Sequence, residues 1–176
     1  MTMREMTNLV QRSFALVEID ADAVSRTFYR RLFEARPSVR MLFPEELEEQ
    51  RVKLMKSLAL IVNNLADLER VRPHIEALGR RHLAYGVKNQ HYAVVGESLL
   101  GALAERLGED FTDEVRAAWT EVYGLLADTM KEAATRAESE EADMAPASYL
   151  PGGSEQSRQR ALDTWMVSAT RYRTFS

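Results

Sequence analysis

The sequence contains no cysteine among its 176 residues. Disulfide bonds, thiolate zinc sites, iron–sulfur clusters on cysteine and a cysteine nucleophile are therefore excluded. The absence of cysteine also fits a reducing cytoplasm. Long uncharged apolar runs are missing too. The N-terminal stretch has no apolar run long enough for the core of a signal peptide, and no stretch has the uncharged length that a membrane span needs. We therefore expect a cytoplasmic protein with no membrane span.

An excess of positive charge is also missing. Twenty-seven acidic residues against 23 Lys and Arg give a formal net charge of -4, and we find no basic stripe of the kind that nucleic acid requires. Nucleic acid is therefore not an expected partner. The apolar and charged fractions, 45% and 28%, lie near the globular average, and the length suits one domain with a sizeable core.

Alternation of apolar and polar residues with period two is absent, so we expect no β-sheet. Apolar residues recur at intervals of three and four instead, which predicts an all-α protein. Asp20 is a candidate N-cap, Pro37 ends one helix and opens a short turn, and Gly86 and Gly108 end later helices. The predicted helices cover about 5–18, 23–35, 45–65, 68–85, 89–107 and a last stretch that begins near 112.

The composition changes after residue 137, where an acidic run is followed by the Pro/Gly/Ser-rich segment APASYLPGGS. We predict a main domain over 1–138, a linker over 139–153 and a C-terminal tail over 154–176. Two interpretations of the tail stay open. It is a partly ordered extension, or it is a short amphipathic helix that uses Trp165 and Met166 to dock on the domain, a second subunit or a partner.

The three histidines are His74, His82 and His91. A lone histidine on a helix is most often a surface residue or one whose hydrogen bonds are satisfied. His74 and His82 lie about 12 Å apart along one predicted helix, too far to share a metal ion, and the three histidines lack zinc-site spacing. A metal held by a single histidine points to haem, in which the macrocycle supplies four ligands.

Four blocks of sequence are informative in their order and spacing: FYRRLF, VRMLFP, LGRRHLAYGVKNQHYAVVGESLL and AAWTEVYG. They resemble the globin family, in particular bacterial single-domain haemoglobins, the globin half of flavohaemoglobins, and neuroglobin. The resemblance covers about residues 5–135. It implies the globin fold, with helices crossing around a pocket for haem b (iron protoporphyrin IX). Without these blocks, the same helices would describe a plain helical bundle.

The resemblance implies roles for four residues. His82 falls on the proximal histidine that binds iron, its second ring nitrogen donating to a helix carbonyl or a nearby side chain. Phe43 falls on the phenylalanine that packs on the porphyrin. Tyr29 matches the distal tyrosine of bacterial globins, which can donate to bound dioxygen. Gln50 occupies the distal position that is histidine in myoglobin and neuroglobin. A core role for the two aromatic residues and surface solvation for Gln50 are the alternatives.

Further haem contacts follow from the resemblance. Leu54 would also face the gas ligand, Leu78 would pack under the haem, and Tyr92 would lie beside His82. Lys53 and Arg81 would pair with haem propionates, although simple solvation explains an exposed charge equally well. The full set of these implied contacts is Lys53, Leu54, Leu78, Arg81, Val87 and Tyr92.

The sequence departs from its relatives at two positions. Gln50 is a poor iron ligand because an amide is a weak neutral donor, so we expect an open or water-bound iron site. The glutamate that supports the proximal histidine in flavohaemoglobins falls on Ala134 here, while Glu132 lies about 200° around the helix. Loss of this partner argues against strong peroxidase-like chemistry.

These residues predict reversible, high-affinity binding of dioxygen, CO and NO, for scavenging, storage or sensing. The alternative is a nitric oxide dioxygenase or nitrite reductase. It would need an external reductase, because the sequence has no G-x-G-x-x-G fingerprint. A third hypothesis is a sensor whose tail contacts a partner. We assign no catalytic residue, and we expect a monomer or a weak homodimer.

Overall fold

The computed structural model describes residues 1–144, with side-chain burial described as far as residue 140. The chain divides into two compact units, residues 1–135 and 136–176. The second unit is described only over 136–144, which continue the last helix. The predicted tail and most of the predicted linker lie outside the described residues.

Helices make up nearly all of the described chain, which contains no strand, so the prediction of an all-α protein is confirmed. Short 3₁₀ turns occupy Pro37–Leu42, Leu65–Asp67 and Gly108–Asp110. The α-helices are α1 (Met3–Glu18), α2 (Ala21–Ala35), α3 (Glu48–Asn63), α4 (Leu68–Ala84), α5 (Asn89–Leu107) and α6 (Asp113–Met144).

Most helix boundaries lie within two residues of their predicted positions, but α3 begins three residues later than expected. The side chain of Arg40 donates hydrogen bonds to the carbonyls of Phe43, Pro44 and Glu45, and these bonds hold the segment outside the helix. Asp20 precedes α2 as predicted, but its side chain makes no capping hydrogen bond. Its carboxylate pairs with Arg106 instead, at 3.2 Å.

The core contains a buried polar link between the first and last helices. Phe14 and Trp119 are almost fully buried, with ring centroids 6.2 Å apart. The Trp119 indole Nε1 donates to the Ser13 hydroxyl at 2.9 Å. Because a buried indole N–H without an acceptor costs free energy, this bond fixes how α1 and α6 face each other.

Two glycines allow helices to approach closely where they carry the candidate site. A Cβ atom on Gly79 of α4 would lie 2.3 Å from the main-chain oxygen of Met130 on α6. A Cβ atom on Gly96 of α5 would lie 2.5 Å from the Tyr123 ring. Since no side chain fits at such distances, α4 and α5 are both set against α6 by close contacts.

Candidate functional site

Tyr29 lies in a cluster of aromatic rings where α2 meets the Pro37–Leu42 turn. Its side chain is only 4% exposed. Its ring centroid lies 4.9 Å from Phe28, 5.5 Å from Phe43 and 5.8 Å from Phe33. Phe33 and Phe43 also contact each other at 5.6 Å. We call Phe28, Tyr29, Phe33 and Phe43 the aromatic cluster; it brings together two of the predicted site residues.

The Tyr29 hydroxyl lies beside Gln50, the third predicted residue on this side. Burial raises the pKa of Tyr29 to about 12, although the hydrogen bond with Gln50 and the positive charge of Arg51 act in the opposite direction. The phenol therefore keeps its proton at neutral pH. Tyr29 and Gln50 together present a hydroxyl and an amide as neutral hydrogen-bond donors.

Arg40, which was not among the predicted site residues, supports this cluster. Its guanidinium donates to the carbonyl oxygens of Phe43, Pro44 and Glu45 at 3.2, 2.8 and 2.9 Å. It also lies over the Phe33 ring, 5.2 Å from the centroid. Arg40 belongs to the VRMLFP block, but only the geometry reveals that it holds the backbone of Phe43.

His82 lies near the end of α4 and is half-buried. Its Nδ1 is 2.8 Å from the main-chain oxygen of Leu78, one turn earlier. Since a carbonyl can only accept, Nδ1 carries the proton and Nε2 offers its lone pair. Burial lowers the pKa of His82; the bond to Leu78 raises it and the charge of Arg81 lowers it further. The imidazole is therefore neutral at pH 7 and suited to bind a metal.

Tyr92 stacks beside His82, with ring centroids 6.3 Å apart and planes at 27°. The hydroxyl of Tyr123 donates to the Tyr92 main-chain oxygen at 2.6 Å, which fixes this part of α5 against α6. The Lys131 ammonium lies 5.6 Å from the centroid of the Tyr92 ring. Neither α6 residue was among the predicted site residues, although Tyr123 stands in the AAWTEVYG block. We call Leu78, His82 and Tyr92 the histidine cluster.

The other predicted contacts occupy varied positions. Leu54 is half-buried and packs against the core. Val87 is half-buried, and its N–H donates to the His82 carbonyl at 2.9 Å. Lys53 is exposed and pairs with Glu49 at 3.7 Å. Arg81 is exposed. The two charged residues therefore lie at the surface, where either sequence-based interpretation applies to them.

Ala134, which we predicted to match the flavohaemoglobin glutamate, is half-buried on α6 and carries only a methyl group. Glu132 is exposed, and its charge acts on Arg72 of α4, whose pKa is raised mainly by its hydrogen bond to Glu69. The carbonyl of Leu78 is the hydrogen-bond partner that His82 has among the described residues.

The two clusters fit the requirements of haem. Among the described residues, no hydrogen bond or ring contact joins the aromatic cluster to the histidine cluster. The aromatic cluster offers an aromatic face in Phe43 and a donor in Tyr29, with Gln50 beside it as a second donor. The histidine cluster offers one imidazole lone pair on His82. A single axial nitrogen with apolar and aromatic walls is the protein environment that haem takes.

Comparison with known proteins identifies the family of the chain. The family model described as Globin matches residues 26–130. A flavohemoprotein of Bordetella parapertussis is 33% identical over 129 residues, covering 72% of this chain and 32% of that protein. The chain thus spans about a third of the length of the curated relatives it matches.

Two solved structures extend the comparison. An engineered carbene transferase from Rhodothermus marinus, described as a nitric oxide dioxygenase candidate, is 31% identical with a TM-score of 0.72. The alignment covers 78% of this chain and 96% of that one. A bacterial globin from Campylobacter jejuni is 23% identical with a TM-score of 0.70, covers 77% and 99%, and supports the fold. Within residues 1–144, no helix is both long and apolar enough to cross a membrane.

Proposed function

The chain belongs to the globin family, and we propose that it binds haem b through His82 and dioxygen, CO and NO beside Tyr29 and Gln50. The observation that carries the proposal is the hydrogen bond from His82 Nδ1 to the Leu78 carbonyl at 2.8 Å. This bond selects the tautomer whose Nε2 can bind iron. When bound, haem supplies an iron centre that takes up diatomic gases.

The distal residues account for high affinity. Tyr29 donates its hydroxyl proton and Gln50 an amide proton towards a gas molecule in the pocket. A hydrogen bond to a charged group contributes about 1.5–3 kcal/mol, and about 1.4 kcal/mol is a tenfold change in affinity. Two donors therefore favour slow release, which suits scavenging, storage or sensing better than bulk transport.

Absorption spectra of the purified protein test this proposal. We expect a haem band in the ferric form, a five-coordinate spectrum after reduction, and a shift on addition of CO. A low-spin bis-histidine ferric spectrum would contradict the open site. A protein that neither contains haem nor takes up added hemin would contradict the whole proposal.

A second candidate function is consumption of nitric oxide, favoured by similarity to flavohemoproteins and to a nitric oxide dioxygenase candidate. In that reaction NO, dioxygen and one electron give nitrate; in nitrite reduction, nitrite, one electron and two protons give NO and water. A separate flavin reductase would supply the electrons. The neutral Leu78 carbonyl, in place of a carboxylate, gives His82 less anionic character and disfavours peroxidase-like chemistry.

Steady-state NO consumption distinguishes the two candidates. The protein is supplied with dioxygen, a reduced nicotinamide and a generic flavin reductase, and NO is followed at an electrode. Gas binding alone predicts one equivalent consumed per haem, whereas sustained turnover would favour the second candidate. A protein without haem, such as His82→Ala, provides the background rate.

We also propose that residues 1–138 suffice for haem binding, and that the chain is a monomer or a weak homodimer. The buried core and both clusters lie within residues 1–135. Ending the chain after residue 138 should therefore leave the CO-bound spectrum unchanged. Altered gas-binding kinetics or oligomeric state would instead support the sensor hypothesis.

A further inference from the structure

Arg51 follows Gln50 on α3 and has an unusual environment for a charged residue. Its side chain is only 16% exposed. Its Nε is fully buried and has no hydrogen-bond partner in the described part of the chain. Buried polar groups almost always have a partner, and an exception calls for a water or an ion at that point. The Nε of Arg51 therefore lacks an acceptor, although its Nη2 has one carboxylate nearby.

The nearest carboxylate neutralises Arg51 incompletely. Asp22 lies 3.5 Å from the Arg51 Nη2. The same carboxylate is only 2.6 Å from the Nε of Arg26, which is exposed. The hydrogen bond with Arg26 is also the main reason why the pKa of Asp22 is lowered. Because Asp22 is shared and closer to Arg26, positive charge remains on Arg51.

Arg51 lines a groove between α2 and α3 with a volume of about 410 Å³. Ser25 contributes to one wall, and Val52 and Met55 give the other wall an apolar surface. Lys56 adds a second cation to the lining. Hydrogen bonds to a mostly buried guanidinium are stronger than those formed in bulk water.

We propose that this groove binds a small planar oxyanion, nitrate or a carboxylate, with Arg51 as its main contact. A guanidinium presents parallel N–H groups that match two oxygens of such an anion. Glu18 and Asp22 also line the groove, so their negative charges disfavour multivalent anions such as phosphate. The site lies beyond the proposed gas-binding function and does not depend on it.

Titration of the full chain with sodium nitrate, under CO so that iron is capped, tests the site. Sodium formate tests the carboxylate source, and sodium phosphate and sodium chloride at equal ionic strength serve as comparisons. The arginine Nε–H resonance of Arg51 is followed by NMR, with calorimetry for the affinity. We expect a saturable shift with nitrate, formate or both, and affinity for that anion at least about tenfold weaker in Arg51→Gln.

Arg51→Lys separates charge from geometry, because it keeps the cation and removes the planar fork. We expect Arg51→Lys to weaken binding of the same anion by about as much as Arg51→Gln does. Arg72→Gln is the control, since Arg72 pairs with Glu69 on α4 and neither contacts Asp22 nor lines the groove. It should change affinity less than about threefold. Equal responses in wild type and Arg51→Gln, a chloride response as large as that of nitrate and formate, or tighter binding of phosphate would each overturn the proposal.

Discussion

The aromatic cluster and the histidine cluster are held in different ways. The rings of the aromatic cluster pack on one another, and the Arg40 side chain fixes the backbone beside Phe43. In the histidine cluster, the side chains are held by hydrogen bonds to main-chain carbonyls. His82 donates to the Leu78 carbonyl, and Tyr123 donates to the Tyr92 carbonyl. The geometry of the aromatic cluster, where we propose that gas binds, thus depends on side chains, whereas the geometry of the histidine cluster depends on how the helices are placed.

Removal of the iron ligand has the largest expected effect. His82→Ala should abolish stable haem binding, because the imidazole lone pair is the axial donor that we assign. The haem-to-protein ratio after purification and the reduced CO spectrum measure the loss. His91→Ala is the control: this half-buried histidine of α5 accepts from the Lys88 N–H and should keep full haem content. Full haem content in both variants would refute the assignment of His82.

Removing the hydroxyl of Tyr29 and removing that of Tyr92 should have very different effects on the dioxygen dissociation rate. Tyr29→Phe removes a buried donor and should raise the dioxygen dissociation rate about 10–100-fold. Tyr92→Phe keeps the ring that stacks on His82 and should change that rate less than about threefold. Stopped-flow displacement of dioxygen by CO measures both rates. Similar rates for the two variants would remove the assigned role of Tyr29.

The sequence predicts the fold well because local patterns specify it. Apolar spacing predicts the helices, and Gly86 and Gly108 adopt positive φ at the ends of α4 and α5. The start of α3 was less predictable, because the Arg40 bonds that hold residues 43–45 depend on a side chain folding back over a turn. Capping by Asp20 was likewise displaced by a tertiary ion pair with Arg106.

The candidate site could be predicted only in part, since its residues are recognised by resemblance and their supports by geometry. His82 and Tyr29 stand in the recognisable blocks, whereas Gln50 lies outside them and is assigned by its match to the distal position. Arg51 and Lys131 do not stand out, because a charged residue on an amphipathic helix normally faces solvent. The burial of Arg51 and the contact of Lys131 with the Tyr92 ring arise from packing between helices that are distant in sequence.

Close packing beneath the histidine cluster predicts a clear effect on stability. Gly79→Ala places a Cβ 2.3 Å from the Met130 carbonyl oxygen, and should lower the free energy of unfolding by about 1–3 kcal/mol. Gly124→Ala is the matched control, as nothing lies within 4 Å of its Cβ position. Within α6 it should stabilise by about 0.5–1 kcal/mol. Urea unfolding followed by circular dichroism measures both, and a neutral Gly79→Ala would contradict the close contact.

A smaller effect is expected when Arg40 no longer holds the Phe43 backbone. Arg40→Gln removes three hydrogen bonds to main-chain carbonyls and should raise the rate of haem loss to apomyoglobin about three- to tenfold. Arg72→Gln removes an exposed ion pair with Glu69 and should leave that rate nearly unchanged. Equal rates of haem loss would show that the turn holds its shape without Arg40.

The smallest expected effect concerns pH and His74, two turns before His82 on α4. Its Nε2 is buried without a partner among the described residues, and burial, with a smaller contribution from Arg81, lowers the pKa of His74. The unfolded chain therefore binds a proton more readily, so the free energy of unfolding falls as the pH drops below about 6.5. His74→Gln should lose less unfolding free energy between about pH 7 and pH 5, measured by urea titration at each pH. His82 and His91 contribute with the same sign in both proteins, so the difference isolates His74. Equal losses in the two proteins would mean that His74 keeps its ordinary pKa and that its orphaned nitrogen finds a partner in water.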